Sequence, residues 1–323
     1  MRDKWSRNIE YLRISITDRC NLRCFYCMPD EGINKLSHYN ILTFEELYIL
    51  VKEAIDLGIR KVRITGGEPL VRFGVVDFIS KISKLDGLED IALTTNGILL
   101  EKYAEDLKKA GLHRLNISLD SLREERYRQI TRRGELQQVL RGIELAERVG
   151  LEPIKINTVI MRGVNDDEVR DFARLTQVKP IQVRFIELMP LGEAESIENE
   201  RFISNSEIMK QLPELIPLVP DREYQPGPAK YYQMPGAKGR IGFISPMSNH
   251  FCRTCNRIRL TADGKLRPCL HSNLEVDIRD ALRKNDREEV RRILRDSILL
   301  KPERHYLMDD RETSERNMNQ IGG

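Results

Sequence analysis

The sequence lacks the features that place a chain in a membrane, on a nucleic acid or outside the cell. No apolar run approaches the length of a membrane span, and residues 1–14 contain no apolar signal-peptide core. The 53 basic residues against 50 acidic ones leave a formal net charge of only +3, which creates no general attraction for polyanions or anionic lipid. We therefore predict a cytoplasmic protein that binds neither membrane nor nucleic acid.

Cysteine is also scarce, and its distribution is uneven. The six cysteines form a first group and a second group of three each, Cys20, Cys24 and Cys27, and Cys252, Cys255 and Cys269. In a reducing compartment such grouping favours metal binding over disulfides. Hydrophobic residues make up 40% of the 323 residues and charged ones 32%, so the chain can bury a large core, as one domain or as a domain with an appendage.

The first cysteine group lies in residues 17–29, which read TDRCNLRCFYCMP and follow an alternating segment that predicts a strand. A loop this short supplies three thiolates to one compact object. An iron–sulfur cube has four irons, so three cysteines would leave one iron open to another ligand. From spacing alone, buried packing residues, a zinc knuckle short of a ligand and a redox pair remain alternatives.

Strand and helix patterns alternate six times in the first part of the chain. The predicted strands are 11–17, 61–65, 90–95, 114–119, 153–160 and 181–186, and the predicted helices are 43–57, 75–85, 100–110, 124–130, 135–149 and one capped at 165–168. This alternation predicts a parallel sheet with right-handed crossovers. An open doubly wound sheet and a full or partial barrel both fit, and both place chemistry at the C-terminal ends of strands.

The pattern changes after about residue 190. Residues 213–236 contain six prolines, which exclude a long helix or a central strand there. We therefore predict two domains, residues 1–212 and 213–323. The second is an α+β extension that carries the second cysteine group, with strands at 239–245, 256–261 and 265–269 and helices near 276–284 and 286–300.

The second cysteine group has spacings of two and then thirteen residues, and a hairpin signal at 262–264 lies inside the longer one. A structural zinc site is one interpretation, because His271 could supply a fourth ligand. The alternative is a second cluster, since the group again offers three thiolates and an open corner. Arg257 and Arg259 lie two apart on a predicted strand, so both point to one face, and their guanidinium groups suit phosphate oxygens.

Taken together, these motifs resemble a known family. The spacing of the first group, with Tyr26 before its third cysteine, resembles the signature of the radical S-adenosylmethionine (SAM) superfamily. Gly66-Gly67-Glu68-Pro69, Thr94-Thr95-Asn96-Gly97, the second group with its arginines and the terminal Gly322-Gly323 occur in one order. Over essentially the whole chain they resemble the GTP 3',8-cyclase family, also called molybdenum cofactor biosynthesis protein A. The resemblance implies a partial six-stranded (β/α) TIM-like barrel.

The resemblance also implies a reaction. In the family two [4Fe–4S] clusters are held by the two cysteine groups, SAM chelates the open iron of the first, and that of the second faces GTP. The first cluster cleaves SAM to a 5'-deoxyadenosyl radical that takes the 3' hydrogen of GTP, and the ribose radical adds to guanine C8. The product, (8S)-3',8-cyclo-7,8-dihydroguanosine 5'-triphosphate, begins molybdenum cofactor biosynthesis, which makes the enzyme a carbon–carbon lyase. Implied partners are an electron donor such as flavodoxin or ferredoxin and cyclic pyranopterin monophosphate synthase downstream, with a homodimer as an option.

The family's site residues carry over to matching positions in this chain. Those implied to contact SAM are Tyr26, Gly67, Ser118 and Met189. Those implied to contact GTP are Arg13, Arg63, Thr94, Lys155, Arg257 and Arg259, the last two being also the implied catalytic residues. The diglycine end is expected to reach toward the active site.

Three other functions are alternatives to this family's reaction. A radical SAM maturase acting on peptides with an auxiliary cluster domain usually needs more cysteines than the second group offers. An RNA-modifying or RNA-binding protein could use the basic run from Arg253 to Arg267, but it would need interleaved aromatic residues, and only Phe251 is near. A zinc-stabilised binding module is the non-enzymatic alternative.

Overall fold

The computed structural model describes residues 1–219, 227–305 and 316–322. Twelve strands in these residues form one mixed sheet. They are β1 (Tyr11–Ser15), β2 (Lys61–Thr65), β3 (Asp90–Thr95), β4 (Arg114–Ser118), β5 (Ile154–Ile160), β6 (Gln182–Glu187), β7 (Ile216–Pro217), β8 (Lys230–Gln233), β9 (Arg240–Ile244), β10 (Arg257–Leu260), β11 (Lys265–Arg267) and β12 (Val276–Asp277). The α-helices of the same residues are α1 (Phe44–Asp56), α2 (Val75–Ile82), α3 (Leu100–Lys109), α4 (Glu124–Thr131), α5 (Leu136–Arg148), α6 (Val169–Val178), α7 (Glu198–Arg201), α8 (Asn205–Lys210), α9 (Arg279–Arg283), α10 (Arg287–Leu299) and α11 (Met318–Ile321).

The centre of the sheet consists of β1 to β6, which are parallel neighbours in chain order. Helices connect these strands, as right-handed crossovers require. The sheet ends in β12 on one side and β7 on the other and is therefore not closed. The predicted α/β fold with a partial six-stranded barrel is confirmed.

The C-terminal part of the chain extends both sides of this barrel. Strand β9 pairs parallel with β6, while β10 pairs parallel with β1, and antiparallel strands continue the sheet beyond each of them. One hydrophobic core runs through both parts, from Leu12 and Val183 in the barrel to Phe243, Ile258 and Leu294 beyond it. The predicted boundary at residue 212 stays a prediction. Strands from both sides of it belong to the same sheet, and their side chains pack in the same core.

Helix α1 illustrates how local sequence fixes an element. The Thr43 hydroxyl accepts from the Glu46 N–H while the Glu46 carboxylate accepts from the Thr43 N–H, and together these bonds form a capping box. Leu47, Leu50 and Val51 then lie on one face and are buried. Burying a leucine or valine side chain contributes about 1.5–3 kcal/mol, so packing rather than helix propensity dominates the stability of this helix.

Some elements differ from their predictions. The predicted helix at 276–284 is β12 followed by the shorter α9, because residues 276–277 pair with β11. The first strand ends at Ser15 rather than at residue 17. Helices α7 and α8 fall in a region where no element was predicted. The prolines at 220 and 226, and the second residue of the diglycine end, lie outside the described residues. No helix in the described ranges is long and apolar enough to span a membrane.

Candidate functional site

One cavity inside the barrel is lined by all six cysteines. The first group follows the C-terminal end of β1. Cys255 precedes β10, and β10 runs parallel to β1 with Tyr11 beside Arg257, so the second group lies at the opposite end of these strands. The antiparallel β11 returns the chain to that same end, where Cys269 follows. The five residues of β1 span about 15 Å, which sets the scale of the separation between the groups.

The first group lies in a site that disfavours bare thiolates. Burial, reinforced by the Glu68 carboxylate, raises the pKa of Cys20 to about 11, and burial, reinforced by Cys20, raises that of Cys27 to about 12. Few donors offset this effect. The Leu22 N–H donates to Cys20 Sγ at 3.4 Å and Asn96 Nδ2 donates at 3.8 Å. Iron ions would supply the positive charge that stabilises these three sulfurs as thiolates.

Glu68 of the GGEP segment links three loops at this end of the barrel, and its backbone N–H donates to the Arg19 carbonyl of the cysteine loop at 2.8 Å. Its carboxylate accepts from the Thr95 hydroxyl at 2.8 Å and from the Asn96 N–H at 2.7 Å. Burial raises its pKa to about 7 even though these donors oppose the shift. At Gly67 a Cβ would lie 2.4 Å from the Arg19 carbonyl oxygen, so no larger residue fits beside the cysteine loop.

Tyr26 and Asp120 form a second polar contact at the same end. The Tyr26 hydroxyl donates to Asp120 Oδ2 at 2.6 Å, and the Val159 N–H donates to the other carboxylate oxygen at 2.9 Å. Burial raises the pKa of Asp120 to about 6 against these donors. The first cysteine group therefore has two carboxylates near it, those of Glu68 and Asp120.

The second group lies among cations. Burial alone would raise the pKa of the Cys255 thiol, but Arg257 and Lys301 outweigh it and lower that pKa to about 6. Arg257 Nη2 lies 3.6 Å from Cys255 Sγ. The Lys301 ammonium is fixed by the carbonyl oxygens of Arg257 and Pro268, at 2.9 and 2.7 Å. A thiolate is thus favoured at Cys255 without any metal, whereas burial raises the pKa of the Cys252 thiol.

Three histidines stand beside the second group, and all three line the cavity. The ring centroids of His271 and His305 are 4.8 Å apart, and those of His250 and His305 are 5.4 Å apart. His305 is anchored twice, since its Nε2–H donates to the Pro246 carbonyl at 2.9 Å and its backbone N–H donates to the Cys252 thiol. Burial, followed by the nearby His305 and arginines, lowers the pKa of His271 well below its usual value.

Basic side chains line much of the cavity between the two groups. Arg13, Arg63 and Arg184 come from three barrel strands, and Arg257 and Arg259 come from β10. Burial and then repulsion from Arg257 lower the pKa of Arg259 to about 9. Burial lowers that of Arg184 to about 10, with Arg63 adding to the shift. Because these cations repel one another in a buried space, the cavity favours a polyanion.

Polar atoms in this wall also lack partners. Arg63 Nε, Thr94 Oγ1 and Arg184 Nε are buried and form no hydrogen bond with another described residue. Buried groups without partners are uncommon in folded proteins and here indicate a wall built around a polar ligand. Lys155 on β5 does not line the cavity, but burial and then Arg184, Arg114 and Arg63 lower its pKa to about 6.

The C-terminal segment 316–322 lies between the two cysteine groups. The Asn319 backbone N–H donates to the Cys27 thiol, and its side chain donates to the Asp18 carbonyl at 3.0 Å. At the other side Arg259 Nη1 donates to the Gly322 carbonyl at 2.6 Å. The segment therefore contacts both halves of the site. Up to Gly322, this agrees with the expectation that the diglycine end reaches toward the active site.

The predicted site residues come together in this structure. All of them except Lys155 line the single cavity, with Tyr26, Gly67, Ser118 and Met189 among its residues together with the first cysteine group. Their roles stay predictions. Sequence reasoning missed Arg184 and Lys301. Arg184 could have been noticed as a charged residue inside an apolar strand, whereas nothing in the sequence around Lys301 distinguishes it from a surface lysine.

The cysteine groups fit iron–sulfur clusters better than single ions. All six cysteines are free thiols. Within residues 1–219, 227–305 and 316–322, no group of three or more His, Cys, Asp or Glu side chains is arranged to hold one metal ion. Three thiols at one end of a cavity match the ligand set of a cluster that leaves one iron for another ligand.

Comparison with known families matches both halves of the chain. Residues 14–176 match the radical SAM superfamily, and residues 181–307 match the molybdenum cofactor synthesis C family. The second match includes the segment 213–236, with its six prolines.

Curated relatives match over the full length. The GTP 3',8-cyclase of Alkaliphilus oremlandii is 58% identical over 324 residues and covers 100% of both chains. Those of Alkaliphilus metalliredigens and Petrotoga mobilis are 55% and 51% identical, again over 100% of both chains.

Among solved structures, Streptococcus suis SuiB bound to S-adenosylmethionine matches with a TM-score of 0.59 at 15% identity. The match covers 88% of this chain and 65% of that chain. At this identity the likeness concerns the fold alone.

Proposed function

The chain belongs to the GTP 3',8-cyclase family of the radical SAM superfamily, and we propose that it converts GTP to (8S)-3',8-cyclo-7,8-dihydroguanosine 5'-triphosphate in the first step of molybdenum cofactor biosynthesis. One observation carries this proposal beyond family membership. A single cavity has three thiols at each end and a row of arginines between them. Such a cavity is suited to a cluster at each end with a polyanionic substrate between them.

The residues that would hold the clusters are Cys20, Cys24 and Cys27 at one end and Cys252, Cys255 and Cys269 at the other. When bound and reduced, the first cluster supplies the electron for reductive cleavage of SAM. The protein's own task is to hold both substrates in a fixed relation and keep water and other reactants away. The buried loops around the first group, fixed by Glu68 and Asp120, serve that task.

The arginine wall is the proposed site of the triphosphate. Arg13 and Arg63 come from the neighbouring strands β1 and β2, Arg184 comes from β6, and Arg257 and Arg259 come from β10. Guanidinium groups form paired hydrogen bonds with phosphate oxygens and keep their charge. Bound phosphates would relieve the repulsion that lowers the pKa of Arg259 and Arg184. The purine would then extend toward the second cysteine group.

The opposite end is the proposed SAM site. Gly67 lets a ligand approach the backbone closely, and Ser118 offers a hydroxyl for a ribose. Tyr26 and Met189 would pack around the adenosine. SAM carries a net positive charge, which agrees with the two carboxylates of Glu68 and Asp120 at this end.

Several assignments rest on the family alone. We propose an external one-electron donor such as flavodoxin or ferredoxin, and cyclic pyranopterin monophosphate synthase as the consumer of the product. A homodimer and a domain boundary near residue 212 are likewise proposals.

The decisive experiment is anaerobic reconstitution followed by incubation with SAM, reductant and GTP, with products separated by chromatography and then identified by mass spectrometry. We expect about eight irons per chain, 5'-deoxyadenosine, and a product that has the mass of GTP but separates from it, because the 3' hydrogen atom that is lost is replaced by an electron and a proton. About four irons with one zinc would contradict a second cluster. Formation of 5'-deoxyadenosine without a GTP-derived product would contradict the substrate assignment.

A further inference from the structure

His271 is a cavity residue that the proposed reaction does not use. It follows Cys269 by two residues and lines the same cavity as the three cysteines of the second group. Its Nδ1 atom is buried without a hydrogen bond, and no described residue donates to or accepts from either ring nitrogen. Burying a polar atom without a partner is unfavourable. An imidazole buried in this way beside three thiols indicates that its ring nitrogen binds a ligand.

The position of the ring is set by its neighbours. His271 packs against His305 with ring centroids 4.8 Å apart. His305 is itself held by the Pro246 carbonyl and by its backbone N–H to the Cys252 thiol. The chain thus ties the imidazole of His271, through His305, to one of the cysteines of the group.

The other candidate ligands that line the cavity have different surroundings. The Nε2 atom of His305 is engaged with Pro246, and His250 is exposed. Among the described residues that line the cavity, Asp120 is the one with a carboxylate. It accepts a hydrogen bond from the Tyr26 hydroxyl beside the first group. His271 is thus a cavity imidazole two positions from Cys269 whose ring forms no hydrogen bond with a described residue.

We propose that His271 is the fourth ligand of the second cluster in the absence of GTP, and that GTP displaces it. Neutral imidazole is a good ligand for iron, and histidine replaces cysteine at iron–sulfur centres of known types. A displaceable histidine would keep the open iron from binding water or small anions until the substrate arrives. The proposal rests on the proposed function, because it requires a cluster at the second group.

The test is the full-length wild-type holoenzyme, loaded anaerobically and labelled with ¹⁵N only at histidine. The protein is reduced and frozen with and without unlabelled GTP, and electron–nuclear double resonance measures ¹⁵N coupling to the clusters. We expect a coupling typical of a directly bound nitrogen in the free enzyme and its loss on addition of GTP. In His271→Phe the coupling should be absent at an unchanged iron content. In His250→Phe, the matched control, the coupling should remain.

The outcomes separate this proposal from the proposed function. If about eight irons bind and GTP changes the spectrum, but no histidine ¹⁵N coupling is seen, His271 is not a ligand and the proposed function stands. A coupling that persists with GTP bound, or that survives in His271→Phe, also overturns the proposal. If the second group binds zinc, or GTP leaves the spectrum unchanged, the proposed substrate site fails and the inference fails with it.

Discussion

The two cysteine groups share a ligand count but differ in their electrostatic surroundings. Around the first group, burial together with mutual repulsion and nearby carboxylates raises the thiol pKa values, to about 11 for Cys20 and about 12 for Cys27. In the second group, Arg257 and Lys301 overcome burial and lower the pKa of Cys255 to about 6, although burial raises the pKa of Cys252. The cavity is thus acidic in character at one end and basic at the other.

This polarity indicates how two charged substrates could be sorted in one barrel. A ligand with net positive charge is favoured beside Glu68 and Asp120, and a triphosphate is favoured beside Arg257 and Arg259. Exchanging them would place like charges together in a space of low dielectric constant, where repulsion is strong. The sequence spacing of the cysteines does not contain this distinction. It arises from the charged residues that the fold brings to each group.

The largest expected effect comes from removing one cysteine at each end. Cys20→Ala should abolish formation of 5'-deoxyadenosine, because only the first group is placed to deliver an electron to SAM. Cys269→Ala should retain slow, uncoupled SAM cleavage and lose the GTP-derived product. After anaerobic incubation, both products are separated by chromatography and quantified by mass spectrometry.

The comparison between these variants requires that the barrel folds without the second cluster. Far-UV circular dichroism of Cys269→Ala must therefore match that of the wild type. A folded Cys269→Ala protein that cyclises GTP at nearly the wild-type rate would disprove a role for the second group in the substrate site. Complete loss of SAM cleavage in this variant would show that the groups do not divide the work.

The next largest effect concerns the basic end. Arg257→Ala and Arg259→Ala should each weaken GTP binding by about 1.5–3 kcal/mol, or roughly 10- to 150-fold, because each removes a charge-assisted contact to phosphate. SAM binding should be unchanged. Equilibrium binding of each ligand to the loaded protein measures both. Arg253→Ala is the matched control, since Arg253 is exposed in the same segment and does not line the cavity. If GTP binds as weakly to Arg253→Ala as to the other two variants, Arg257 and Arg259 do not belong to a specific GTP site.

Local sequence signals predicted the barrel well and the site in part. Strand β2 was predicted to its last residue, because a glycine precedes it and two follow it. The cysteines, Arg257 and Arg259 were identified from spacing and the period of a strand. Helices α7 and α8 were not predicted. They are too short to show the hydrophobic periodicity of a helix, and the proline-rich segment that follows them shows none either.

What was missed depends on contacts between distant parts of the chain. No local pattern shows that β9 and β10 extend opposite sides of the barrel, since strand partners are selected by tertiary packing. The same holds for Lys301, whose ammonium reaches the Arg257 carbonyl across 44 positions. Docking of Asn319 on the Asp18 carbonyl spans 301 positions. Such contacts follow from the completed fold.

A smaller effect is expected where the C-terminal segment joins the two ends. Gly322 has a φ of 74°, and a Cβ there would lie 2.8 Å from Thr65 Cγ2. Gly322→Ala should therefore weaken docking of the segment by about 1–3 kcal/mol. Hydrogen exchange of peptides covering 316–322, followed by mass spectrometry, should show faster exchange. Gly227→Ala is the control, because a Cβ there meets nothing within 4 Å. Unchanged protection in Gly322→Ala would show that Gly322 does not fix the segment.

The smallest effect tests how far the basic end extends along the barrel. Burial and then Arg184, Arg114 and Arg63 lower the pKa of Lys155 to about 6, so at pH 7.5 the free protein holds this lysine mainly neutral. Nearby phosphates would raise that pKa toward the usual value near 10.4, and GTP binding should then take up about one proton or less. Calorimetry in two buffers of different ionisation enthalpy measures this uptake.

Proton uptake should vanish near pH 5, where Lys155 is already charged, and it should be absent in Lys155→Met at pH 7.5. Because the folded pKa lies below the unfolded one, the unfolded chain binds more protons between about pH 6 and 10, and the cost of burying Lys155 is largest below that window. Lys155→Met should therefore raise the melting temperature more at pH 6 than at pH 9. Lys109→Met is the control, since that side chain is 73% exposed and should change neither quantity. Equal proton uptake in wild type and Lys155→Met would limit the phosphate site to the arginines of the cavity wall.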